Sequence, residues 1–198
     1  GVAMNCKMNG EIYKENYVNK IFVQPASSDN GISLGAAQLL TLKKGGTLKT
    51  KLENVYYGPQ YSDYEILKSL KESKLKFYKP KNIFNEVAKL IYKKKIVCLF
   101  QGKMEFAARA LGNRSIIASP LFKDMKKKIN LKVKHRENWR PFCPSILEED
   151  YNKYIDSELK SYFMTIALPV KQKIAKLIPS CVHIDGTVRA QIVDKKNN

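Results

Sequence analysis

With 198 residues, 44% of them hydrophobic, the chain can hold one ordinary domain or two small ones and is too apolar to be disordered throughout. Its longest apolar run, 96–100, falls far short of the roughly 20 residues that cross a bilayer, and no signal-peptide pattern opens the chain, so a cytoplasmic protein without membrane contact is expected. The net charge of +18 would suit nucleic acid, anionic substrates or an acidic partner; lysine supplies 31 of the 36 basic residues, in runs such as Lys93-Lys94-Lys95, which reads as a solvated surface.

In chain order, Gly1 to Cys6 opens with no preceding turn or cap, as if cut from something longer. Lys20 to Val23 reads as a strand end before Pro25, and Ser27 to Gly31 as a turn. A helix is expected over 32–42, stopped by Gly45-Gly46. From Gly45 to Gln60 the apolar periodicity lapses, which places a domain boundary near Gln60, with domains over 1–60 and 61–198. Ser62-Asp63-Tyr64-Glu65 is a capping box, so a helix starts there and should bury Ile66, Leu67 and Leu70. Asn82 opens a second helix, with Ile83, Phe84, Val87, Leu90 and Ile91 at helical spacing. The run 95–100 reads as a buried strand. Further strands are expected at the start of 145–154, before a short acidic helix, and over 162–169 and 188–193. Alternation of helices and strands predicts an α/β fold.

Cys6, Cys98, Cys143 and Cys181 lie far apart, without a Cys-x-x-Cys pair, so reduced thiols are expected. Only five basic residues are arginine: Arg109, Arg114, Arg136, Arg140 and Arg189. A planar fork of donors grips carboxylate or phosphate bidentately, so arginines in a lysine-dominated chain mark a candidate anion site. Arg109, Arg114, Arg136 and Arg140 are expected to converge on it. Trp139 and Phe142 read as core anchors, and Cys143 as packing.

Three blocks carry a family resemblance: Gln-Gly-Lys-Met-Glu-Phe-Ala-Ala-Arg-Ala-Leu-Gly-Asn-Arg-Ser at 101–115, Lys-His-Arg-Glu-Asn-Trp-Arg-Pro-Phe-Cys-Pro-Ser at 134–145, and His-Ile-Asp-Gly-Thr-Val-Arg-Ala-Gln at 183–191. They resemble the O-carbamoyltransferases that decorate nodulation factors and antibiotics. The resemblance implies the end of an ASKHA-type domain followed by an incomplete YrdC-like α/β domain that makes carbamoyl-adenylate from carbamoyl phosphate and ATP, with Mg, for a hydroxyl-bearing acceptor. It implies that Lys103, Arg109 and Arg114 line the phosphate side, that Arg136 and Arg140 face them, and that His183, Asp185 and Arg189 close a third wall. Asn113, Ser115 and Ser145 would add uncharged hydrogen bonds. Asn113 and Ser115 equally suit turn and cap duty after Gly112, and His183 suits a buried, hydrogen-bonded role.

Asp29 matches a metal ligand of the family's ASKHA-type part, which holds Fe or another divalent metal; on its own residues it suits capping of the helix that follows. Two departures stand out. Lysine occupies position 103, where the family usually has arginine, and Ala107-Ala108 replaces Gly-Pro, which changes the turn that aims Arg109. The family continues well beyond the third block, whereas this chain runs only to Asn198, so a fragment, a split gene product or a degraded gene is expected, and its expected partners are a second copy in a homodimer or a chain carrying the missing segments. The competing readings are a basic RNA-binding module and a threonylcarbamoyl-adenylate synthase for tRNA modification; the fixed arginine blocks favour the enzyme over a nucleic-acid partner.

Overall fold

The computed structural model describes residues 1–48 and 52–194. Residues 49–51 of the expected interdomain connection and the end at 195–198 lie outside them.

The first helix, α1 (Cys6–Tyr13), has Asn5 as N-cap, whose side chain accepts from Met8 N at 3.1 Å. No sequence signal was read there. Its buried face is polar and small because backbone approaches it: Asn9 Nδ2 donates to the carbonyls of Ala3 and Thr165 at 2.8 and 2.9 Å, and a Cβ on Gly10 would lie 2.4 Å from Ala167 O. The segment around Val23 forms no regular element and pairs with no strand among the described residues, so the expected strand end is absent; Val23 packs its side chain into the main core instead. The turn falls at 25–28, and α2 (Asp29–Lys43) starts three residues earlier than expected.

The Ser62–Glu65 capping box is present and starts α3 (Asp63–Glu72); Asn82 caps α4 (Ile83–Tyr92) by accepting from Asn85 N. Neither helix buries a residue, so the expectation for Ile66, Leu67 and Leu70 is corrected: local capping and spacing form the helices, but no core covers their apolar face among the described residues. The run expected as a buried strand is β1 (Val97–Phe100), with alternate residues exposed, because it pairs only with β2 (Arg114–Ile117) in a two-stranded antiparallel sheet. The fold is thus mixed α/β, with three two-stranded sheets among the described residues.

After α5 (Met125–Lys132), β3 (Ser145–Leu147) leads through an acidic turn into α6 (Tyr151–Tyr154), as the sequence predicts. The strand expected over 162–169 shrinks to β4 (Leu168–Pro169), since Met164 takes a left-handed φ of 57° that interrupts an extended run. The short α7 (Gln172–Ala175) follows. The strand expected over 188–193 is two: β5 (Thr187–Val188) pairs antiparallel with β4, and β6 (Gln191–Val193) pairs parallel with β3. Arg189 and Ala190 lie where the chain changes partner.

The main core gathers Val23, Ile146, Tyr151, Ile155, Leu168, Val188 and Ile192; a smaller one joins Val55, Leu111 and Met164. Residues on both sides of position 60 share these cores. The end of the expected connection is stitched to the first block: Phe106 N donates to Val55 O, Gly58 N to Met104 O and Met104 N to Pro59 O.

Candidate anion-binding site

The first block forms the loop between β1 and β2, closed at its base by Gln101 N donating to Asn113 O at 3.0 Å. Glu105, which the sequence reading passed over, shapes it. This residue is 8% exposed, and its Oε1 accepts from the amides of Leu111 and Asn113 at 2.8 Å each and of Arg114 at 3.2 Å. Burial pushes its carboxyl upward, but those amides outweigh burial and hold it below the ordinary carboxylate value. Gly112 turns the chain at a φ of 121°, open to glycine, and its amide donates to Ser115 Oγ at 2.9 Å. Asn113 Nδ2 donates to Lys103 O at 2.7 Å. Asn113 and Ser115 therefore hold the turn. Lys103 is exposed.

Arg114 is spent on the loop's own backbone. Its Nη1 donates to Gln101 O and Asn113 O at 2.6 and 2.9 Å, its Nη2 to Pro59 O and Gly102 O at 3.2 and 3.3 Å, and the guanidinium lies 3.8 Å from the Phe100 ring centroid. The expected convergence of four arginines is thus not what the structure places: Arg114 is a clasp.

Asn130 organises the second block. It is fully buried, donates through Nδ2 to Asn138 O and Arg140 O, and accepts from Arg136 Nε at 2.7 Å. His135 supports the turn with a φ of 46°, and Arg136 lies over the Phe142 ring at 5.1 Å. Trp139 is corrected from core anchor to surface residue, 72% exposed, because the carbonyls on either side of it turn inward to Asn130. Arg140 is exposed, with Nε 3.6 Å from Glu137 Oε2.

In the third block Asp185 Oδ1 accepts from Thr187 N and Oγ1 at 3.0 and 2.7 Å, and Oδ2 pairs with Lys7 Nζ at 2.8 Å. Burial raises the Asp185 carboxyl, but Lys7 and Thr187 more than reverse this and leave it well below the usual carboxylate range. His183 Nδ1 lies 3.1 Å from Thr187 Oγ1, while its Nε2 is buried without a partner. Burial foremost keeps the His183 imidazole below its ordinary value, hence neutral at pH 7. The turn so built presents Arg189, whose Nε donates to Cys143 Sγ at 3.1 Å. Gln191, 4% exposed, ties the blocks together: Nε2 donates to Leu111 O at 2.8 Å and Oε1 accepts from Ser145 Oγ at 3.0 Å.

Arg189 is the common neighbour. It acts electrostatically on Arg109, Arg136 and His183, and Cys143 and Cys6 lie close to it. Burial and then Arg189 depress the Arg109 guanidinium, and Arg109 Nε is buried without a partner. Burial and then Arg140 do the same to Arg136. Glu137 partly offsets the charge of Arg136 and Arg140, whereas no carboxylate is among the groups acting on Arg109, so an oxyanion is the kind of ligand that would neutralise it. A groove of about 1520 Å³ between α2 and the 160–166 segment has none of the five arginines on its walls. Asp29 is exposed in the first turn of α2, where a carboxylate favours the helix dipole. Among the described residues no three His, Cys, Asp or Glu side chains stand together as a metal-ligand set.

The scaffold is mixed α/β and carries its five arginines on three sequence blocks, a candidate anion-binding site. Residues 88–198 match the family model described as Carbamoyltransferase C-terminus, and residues 1–38 that described as Carbamoyltransferase N-terminus. The chain belongs to the carbamoyltransferase family. It is 38% identical to an uncharacterized protein of Methanocaldococcus jannaschii, over all of this chain and 34% of that protein. It is 37% identical to nodulation protein NolNO of Sinorhizobium fredii and 35% to nodulation protein NolO of Bradyrhizobium diazoefficiens, again over the whole chain and over 30% and 37% of those proteins. The chain spans about a third of the length of these relatives.

Proposed function

We propose that this chain carries the part of a carbamoyltransferase that binds carbamoyl phosphate and ATP and forms carbamoyl-adenylate for a hydroxyl-bearing acceptor. The observation that carries the reading is Arg109, whose Nε is buried without a partner and whose charge is opposed first by burial and then by Arg189. Such a group is costly unless an anion neutralises it. Arg136 extends the cluster, and Arg140 lies at its exposed rim. Family membership supports carbamoyl transfer as the chemistry.

The atoms balance in two steps. Water releases inorganic phosphate from carbamoyl phosphate and leaves carbamate. A carbamate oxygen then attacks the α-phosphorus of ATP, forming the mixed anhydride as pyrophosphate departs. Arg109 and Arg189 would neutralise charge on the phosphoryl oxygens, Arg136 would orient the polyphosphate, and the neutral imidazole of His183 offers Nε2 to the carbamoyl group. Magnesium, held mainly by the polyphosphate, would share that charge. A metal at Asp29 requires further ligands. The ASKHA-type and YrdC-like assignment of the two parts follows the same family resemblance.

Exchange of labelled pyrophosphate into ATP by the full-length protein tests the reading. Exchange that requires carbamoyl phosphate is expected; binding of carbamoyl phosphate and ATP without exchange would overturn adenylate formation. RNA binding that weakens steeply with salt, without any ATP-dependent stabilisation, would favour the RNA module.

A further inference from the structure

We propose that Glu105 is a positioning residue that aims Arg109: its buried carboxylate closes the segment from Glu105 to Leu111 into a fixed arch that holds the Arg109 guanidinium with its Nε buried. The proposal rests on reading the arginine cluster as the phosphate site. Leu111 N donates to Glu105 Oε1 at 2.8 Å, so Arg109 lies inside a stretch of chain whose ends are joined by that bond. The arch is anchored from outside as well. Leu111 is 1% exposed in the smaller core, Phe106 N donates to Val55 O, and Ala108 N donates to Pro25 O.

Arg109 needs such restraint. Burial and Arg189 both oppose its charge, and its Nε has no partner. On a loose loop the guanidinium would turn outward, regain water and escape the repulsion. Glu105 prevents this without reaching the ligand, since its Oε1 is occupied by the amides of Leu111, Asn113 and Arg114. Those converging amides would otherwise form a nest open to an anion. With Glu105 filling it, phosphate recognition in this block falls to the Arg109 side chain. The alanines at 107 and 108 restrict the backbone less than a proline would, which places more of the aiming on the Glu105 bond.

Two variants test this, Glu105→Gln, which keeps shape and a carbonyl acceptor, and Glu105→Ala, each with and without Arg109→Ala. Affinity for inorganic phosphate and carbamoyl phosphate is read by calorimetry, and the phenylglyoxal modification rate of Arg109 by peptide mass spectrometry, both on the full-length protein. Glu105→Ala should weaken phosphate binding about ten-fold or more and Glu105→Gln less, with no further loss once Arg109 is absent. Arg109 should be modified faster in both variants. An unchanged modification rate, or equal weakening with and without Arg109, overturns the proposal. Should Glu105→Ala fail to fold, Glu105→Gln decides. Should the wild-type protein bind no phosphate compound, the functional reading fails, and the modification rate alone decides the role of Glu105.

Discussion

Asn130 Oδ1 accepts from Arg136 Nε at 2.7 Å, so a fully buried amide at the end of α5 sets the direction of a guanidinium in the second block. The same amide holds the carbonyls of Asn138 and Arg140 through its Nδ2. Replacing Asn130 with alanine would orphan two carbonyls and an arginine donor. A loss of about 2–3 kcal/mol in chemical denaturation is expected, with weaker phosphate binding. An unchanged denaturation midpoint would mean that the 134–141 loop is held elsewhere.

Arg114 makes the opposite prediction. Its guanidinium serves four backbone carbonyls and the Phe100 ring, so Arg114→Ala should cost about 1–3 kcal/mol of stability while the folded variant keeps its phosphate affinity. Calorimetry well below the melting temperature separates the two effects. Lost affinity in a folded Arg114→Ala protein would restore Arg114 to the site.

Gly10 tests the join between α1 and the 165–167 segment. A methyl group there would meet Ala167 O at 2.4 Å, a backbone atom that cannot turn aside. Gly10→Ala should therefore destabilise by about 1–3 kcal/mol despite its better helix propensity. A stabilised variant would show that α1 does not pack there.

Capping and short-range periodicity were legible: Ser62 and Asn82 start the helices they announce, and β1 falls within the run expected as a strand. The burial of these elements was not legible, because it depends on what packs against them. Nor was the break at Met164, a left-handed residue that nothing local requires. The arginine blocks were visible as composition, yet their roles divided by partner. Arg114 finds backbone carbonyls, Arg189 finds the Cys143 thiol, and Arg109 keeps its Nε buried without a partner. Glu105, Asn130 and Gln191 escaped notice because a polar residue in a block looks like a ligand contact or nothing, and only the tertiary fold reveals that it holds backbone amides, carbonyls or a neighbouring block.

Acid should weaken the fold at two of these joints. Glu105 and Asp185 both sit below their ordinary values of 4.5 and 3.8, so the unfolded chain takes up protons first as pH falls. Their contribution is complete above the unfolded values and is lost as pH drops through the folded ones. Lys7, raised to about 12, contributes below its unfolded value of 10.5 and loses this as pH rises through 12; its side chain is half exposed, so water screens the pair and it adds little. Asp185→Asn should lose less stability than wild type between neutrality and about pH 3. Equal losses would show that the Lys7–Asp185–Thr187 contacts do not bear on stability.

The most direct test of the central claim is calorimetric titration of carbamoyl phosphate, with ATP and magnesium present, into wild-type, Arg109→Ala, Arg189→Ala and Arg114→Ala forms of the full-length protein. Wild type and Arg114→Ala should bind alike, while loss of Arg109 or Arg189 should weaken binding by at least about ten-fold, the worth of a charge-assisted hydrogen bond. Unchanged binding in both Arg109→Ala and Arg189→Ala would contradict the account.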